Sequence, residues 1–92
     1  MHTDEYEISI TRERNHCQQV VKKTQAKLAE RRQTYGMDYP EAVLACAEGR
    51  LAISEKELAL WHDDVEALPQ WEQRLEEYRE ALAMMRISAS HF

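Results

Sequence analysis

The sequence predicts an all-α fold: an elongated antiparallel helical hairpin, coiled-coil-like, with a short middle helix at the bend. Three observations carry this. Only two glycines and two prolines occur in 92 residues, where average usage gives about six and about five. Ala, Leu, Glu, Gln, Arg and Lys, the strong helix formers, fill most of the chain. Finally, a stop-and-restart signal at Gly36, Asp38, Pro40 and Glu41 divides two stretches whose apolar residues recur at steps of three and four. A chain of this length is one domain with a thin core, since it buries only about two-thirds of its unfolded surface.

Residues 1–11 are read as a tail or a short extended segment. Tyr6, Ile8 and Ile10 alternate with Glu5, Glu7 and Ser9, the period-two pattern of a strand. A ribbon-type DNA-binding dimer starts with such a strand. Its first helix breaks after about a dozen residues, whereas nothing interrupts residues 12–35, so a frayed tail or extra helical turns fit better.

The first helix is placed at about 12–35, with Thr11 as its N-cap. Cys17, Val21, Thr24, Leu28 and Tyr35 form one inward stripe that Val20 and Ala29 widen and Arg14, Thr24 and Arg31 interrupt. Lys22, Lys23, Lys27, Arg31 and Arg32 crowd its second half, where cations suit the negative end of the helix dipole. Without interleaved aromatics, this cluster does not make a single-strand nucleic-acid platform.

Gly36 is the expected stop, taking the left-handed conformation cheaply. Asp38 and Glu41 have the spacing of a capping box, and Pro40 sits in the tolerant first turn. The short second helix spans about 39–48, and Gly49 ends it. Leu51 and Ile53 are anchors in the connection that follows. Ser54 and Glu57 form a second box at the start of the third helix.

That third helix runs from 55 to about 87. Its apolar steps pass through Leu58, Trp61, Val65, Leu68, Trp71, Leu75, Tyr78, Leu82 and Met85. Two steps of three meet at Leu68, beside Pro69, so a single helix kinked near 66–69 is expected. By the helical rise the first and third helices measure about 36 Å and about 50 Å. The short helix would cover the excess of the longer arm.

Charge is divided unevenly. Residues 1–35 hold seven basic and five acidic groups, residues 36–92 five and twelve, so arms of opposite sign attract. The overall balance of −5 argues against nucleic acid as the main partner. Cys17 and Cys46 are too far apart for a CxxC motif; a disulfide between them is the alternative to two reduced thiols in an intracellular protein, the preferred reading. No apolar run is long enough to cross a membrane and no signal segment opens the chain, so the protein is read as soluble and cytoplasmic.

No catalytic residues, metal ligands or cofactors are predicted. His62 and Glu66 have the i, i+4 spacing of a ligand pair, but a pair is not a site. Of the remaining histidines, His2, His16 and His91, none has two further ligands at matching spacing. No Glu of the third helix has a His three residues later, as an inward di-metal motif requires. Glu72, Glu76, Glu77 and Glu80, among Arg74 and Arg79, read as a solvated helix face.

The aromatic residues point outward to a partner as well as inward to a core. Trp61, Leu68, Trp71, Leu75 and Tyr78 share one face of the third helix and are candidate anchors for a protein partner, because interfaces concentrate aromatics rimmed by charge. The pattern Tyr35-Gly36-Met37-Asp38, then Glu41-Ala42, Glu48-Gly49, Trp61 and Leu68, followed by a Glu/Leu-rich helix, resembles a group of short prokaryotic proteins. In that group a "YGM" turn ends the first helix, and members are described as hypothetical or as type II toxin–antitoxin antitoxins. The resemblance covers about residues 26–82 and implies a cap over a toxin enzyme. Three functions are therefore expected in order: an antitoxin-like protein-binding module; a self-associating hairpin serving as a structural or adaptor subunit; and a ribbon-type DNA binder using residues 5–10.

Overall fold

The computed structural model describes residues 4–90. Three helices follow one another: α1 (Asp4–Tyr35), α2 (Tyr39–Ala47) and α3 (Glu55–Ser90). No strand occurs among the described residues. The long helices α1 and α3 pack against each other antiparallel, and α2 sits against the start of α3. The result is a rod of 64 × 18 × 17 Å. Its radius of gyration is 18.9 Å, against about 12 Å for a compact domain of this length.

Residues 4–11 are extra turns of the first helix, one of the two expected readings, rather than a tail or the strand at 5–10 that a ribbon would use. Ile10 lies seven residues before Cys17, on the same helical stripe, and both are buried. A lone strand would have no neighbour for its backbone groups, whereas helical geometry satisfies them within the segment. With 32 and 36 residues, the arms measure about 48 Å and about 54 Å. They are nearly matched, so α2 does not cover a long excess of α3.

The bend is fixed by backbone bonds. Gly36 adopts φ 72°, and its N–H donates to the Arg32 carbonyl at 2.7 Å, the αL form of helix termination. At the other end of α2, Gly49 has φ 74°. There Arg50 N–H donates to Ala45 O (2.8 Å) and Gly49 N–H to Cys46 O (3.1 Å), a complete Schellman motif.

The caps are only partly as expected. Asp38 holds the N-cap position of α2 in extended geometry, but its side chain makes no cap hydrogen bond, so the Asp38–Glu41 box does not form. Its carboxylate instead lies 3.5 Å from the Arg32 guanidinium across the turn. Ser54 does cap α3, accepting from the Glu57 N–H at 3.1 Å. The returning half of that box is missing, because the Glu57 carboxylate is engaged by Arg31 at 3.1 Å.

From Glu55 to Ser90 α3 is one helix with Pro69 inside it and no break at 66–69. Pro69 is solvent-exposed. The Val65 carbonyl, deprived of its i+4 donor, is the one backbone bond the ring removes.

The core is a narrow seam. Cys17, Val21 and Leu75 form its centre, with Leu68, Trp71 and Tyr78 packed partly buried around them. At the bend Trp61 is 2% exposed. Tyr35 stacks on it at 5.4 Å between ring centroids, and Tyr39 meets it edge-on at 5.8 Å. Ala42 and Ala45, fully buried, bring α2 close to its support.

Candidate functional site: one flank of the helical seam

In heptads, three adjacent rows of α3 hold most of its large apolar residues, while Leu58 and Val65 share a fourth row with Glu72 and Arg79. Trp61, Leu68, Leu75 and Leu82 recur every seven residues in the first. Asp64, Trp71, Tyr78 and Met85 follow three residues behind each. Leu60, Ala67, Arg74 and Ala81 immediately precede the first row. A helix with one partner carries two apolar rows of seven, whereas a bundle helix carries three.

Burial is greatest in the first row. Trp61, Leu75 and Leu82 are buried and Leu68 half-buried there; Trp71, Tyr78 and Met85 are half-buried; in the third row Ala67 and Ala81 are half-buried, Arg74 is exposed and Leu60 is 45% exposed. Of the sequence-predicted anchors, Trp61 and Leu75 belong to the hairpin's own core and are not presented to a partner. Trp71, Tyr78 and part of Leu68 remain on the surface side of the seam.

α1 contributes to the same flank. His16 meets the edge of Trp71 with centroids 5.8 Å apart, and Val20, one turn further on, is half-buried. The Arg74 guanidinium covers part of the Trp71 ring at 5.2 Å, a cation–π contact. The one acidic group in the middle row, Asp64, is met by Arg31 at 2.6 Å.

Arg31 is the residue whose role the sequence pattern conceals. It looks like an interruption of the α1 stripe and a member of the basic cluster, yet it bridges Asp64 and Glu57 of α3 from a position only 14% exposed. Burial alone would lower its pKa, but the hydrogen bonds and charges of Asp64 and Glu57 outweigh that and raise it. Recognising this requires knowing which turn of α3 lies opposite.

The other flank of the seam is polar. Gln18, Lys22 and Gln25 of α1 face Glu72, Glu76 and Arg79 of α3 along a shallow groove over Val21 and Leu75. The Gln25 amide donates to Glu72 at 3.5 Å, and Arg79 lies 3.8 Å from Glu76. Such exposed pairs each contribute about 0–1 kcal/mol.

A second apolar surface lies on α2. Pro40, Val43, Leu44 and Ala47, at steps of three, one and three, share its outer face and are all exposed. That i, i+3, i+4, i+7 spacing is legible in the sequence. It is masked there because the inner residues Ala42 and Ala45 are apolar too.

Both thiols are free. Cys17 is 1% exposed; burial raises its pKa, and Glu13 adds to the shift while Arg74 opposes it. Cys17 lies midway along α1 and Cys46 on α2 beyond the bend, and no disulfide joins them. His62 and Glu66 stand 4.0 Å apart on the surface. Among the described residues no three His, Cys, Asp or Glu are grouped as a metal site would need. His2 and His91 lie outside the described residues. No described helix is long and apolar enough to cross a membrane.

Geometry therefore defines a class, a two-helix hairpin with one polar and one apolar flank. Compared with known proteins, the chain matches no family model, no curated protein and no solved structure.

Proposed function

We propose that this protein is a non-enzymatic protein–protein interaction module that engages its partner through the apolar flank of the long helix α3. The observation that supports this most is the three-row apolar face of α3, whose first row is the most buried and whose other two rows stay half-buried or exposed. An aromatic pair, Trp71 and Tyr78, lies at the centre of that flank, with charged residues at its edge, the composition favoured at interface hot spots.

The antitoxin-like role implied by the YGM-turn resemblance is the form of this reading in which the partner is an enzyme occluded by the flank. A self-associating structural or adaptor subunit is the second form. It draws support from the large surface that the narrow rod leaves exposed. Both place the contact on the same residues. In-cell photocrosslinking tests it: a crosslinking amino acid at Tyr78 is expected to give discrete adducts, while one at Glu76, two positions away on the polar flank, gives none. Adducts from Glu76 alone, or from neither, would count against the reading.

A further inference from the structure

The accessible surface of the chain is 7121 Å², whereas a compact monomer of 10.9 kDa exposes about 5,600 Å². The excess, about 1,500 Å², exceeds the roughly 800 Å² that each partner buries in a standard protein–protein interface. Leu60 and Arg74, exposed, and Ala67, Trp71, Tyr78 and Met85, half-buried, run along one flank of α3 for most of its length. An interface with a second protein at this flank is the reading given above; the identity of the occupant goes further and rests on it.

The flank is complementary to itself. Reversing α3 about a two-fold axis between Trp71 and Arg74 sets Leu60 against Met85 of a second copy, Ala67 against Tyr78, and Trp71 against Arg74. Small meets large at Ala67, and flexible Met85 meets Leu60. At the centre an indole meets a guanidinium, a contact already made within one chain at 5.2 Å. Isologous dimers require a patch that matches its own reverse, and a third apolar row is what a helix needs in a four-helix bundle rather than in a hairpin. We infer that two copies of this chain pair antiparallel through the apolar flanks of α3, forming a four-helix bundle whose polar flanks face water.

Sedimentation equilibrium of the full chain from about 1 μM to about 1 mM, with helicity followed in parallel, tests the inference. A dimer, twice the 10.9 kDa of one chain, is expected. Trp71→Glu is expected to raise the dissociation constant at least about 30-fold, as loss of a hot spot does, without loss of helicity in the monomer. Glu76→Lys on the polar flank leaves the dimer intact. Should Trp71→Glu prevent folding, the register supplies a second arm: in an Ala67→Cys, Tyr78→Cys chain, oxidation gives a disulfide between those two positions of different copies, identified by peptide mass. A dimer that survives Trp71→Glu, or that forms no such disulfide, overturns the inference. So does a monomer at every concentration. In that last case binding of the dye 1-anilinonaphthalene-8-sulfonate separates the two claims. A monomer that binds dye and loses it with Trp71→Glu keeps an open interface for another protein, so only the second copy is wrong. A monomer that binds none has no interface on this flank.

Discussion

The two flanks of the α1–α3 seam differ in how they end. On one, Gln18, Lys22 and Gln25 stand opposite Glu72, Glu76 and Arg79, so polar side chains shield Val21 and Leu75 from water. On the other, Trp71, Tyr78 and Leu60 continue the apolar surface outward, with His16 and Val20 beside them. The first flank is finished by solvent. The second has the composition of an interior that stops halfway. Two helices enclose a core only along their line of contact, and the side left apolar is where the proposed partner would add.

The largest expected effect lies at the centre that both flanks share. Leu75→Ala empties the position under both flanks, and buried Leu→Ala changes cost about 2–5 kcal/mol. Thermal and urea unfolding of this variant should show loss of the cooperative transition, because so thin a seam has little to spare. Arg31→Ala comes next, at about 2 kcal/mol, since it strands the Asp64 carboxylate at the end of the apolar flank. Urea denaturation measures it, and a loss below about 0.5 kcal/mol would reduce Arg31 to an ordinary surface charge.

The flanks then separate. Trp71→Ala should weaken association while leaving the monomer helical, whereas Glu72→Ala on the polar side should change stability by less than about 0.5 kcal/mol. Circular dichroism with light scattering distinguishes the two. If Trp71→Ala unfolds the chain instead, its role is to hold α1.

The smallest effect is that of Cys17. Its folded pKa is raised above the unfolded value, so the protonated thiol is the form the fold prefers. The associated stability is fully present below the unfolded pKa and is lost as pH rises through the folded one. A shallow alkaline decline in urea midpoint is expected, absent in Cys17→Ala. In the same range Cys46, the less buried thiol, should react faster with a thiol reagent.

Much of this architecture is legible in the amino-acid order. The turn at Gly36, the stop at Gly49 and the Ser54 cap follow from local chemistry, and local chemistry reads well from a single sequence. The start of α1 is less so, because Tyr6, Ile8 and Ile10 follow a strand period, whereas the helix buries only Ile10 of the three. Only the seven-residue step from Ile10 to Cys17 distinguishes them, and it matters once α3 lies alongside. Asp38 and Glu57 have perfect cap spacing but are drawn to Arg32 and Arg31; competition from a residue distant in sequence is invisible to spacing. The candidate anchors split for a related reason. A single line drawn through Trp61, Leu68, Trp71, Leu75 and Tyr78 merges two heptad rows, and only packing against α1 decides that Trp61 and Leu75 lie inside while Trp71 and Tyr78 lie at the edge.

The most direct test of the two-flank account is hydroxyl-radical footprinting of the native chain over a dilution series, read by peptide mass spectrometry. Oxidation of Trp71, Tyr78 and Met85 should rise several-fold on dilution through the dissociation range. Met84, 65% exposed and on the outer side of α3, should stay constant. Rates at Trp71, Tyr78 and Met85 that are high and independent of concentration, or protection that appears at Met84 instead, would contradict it.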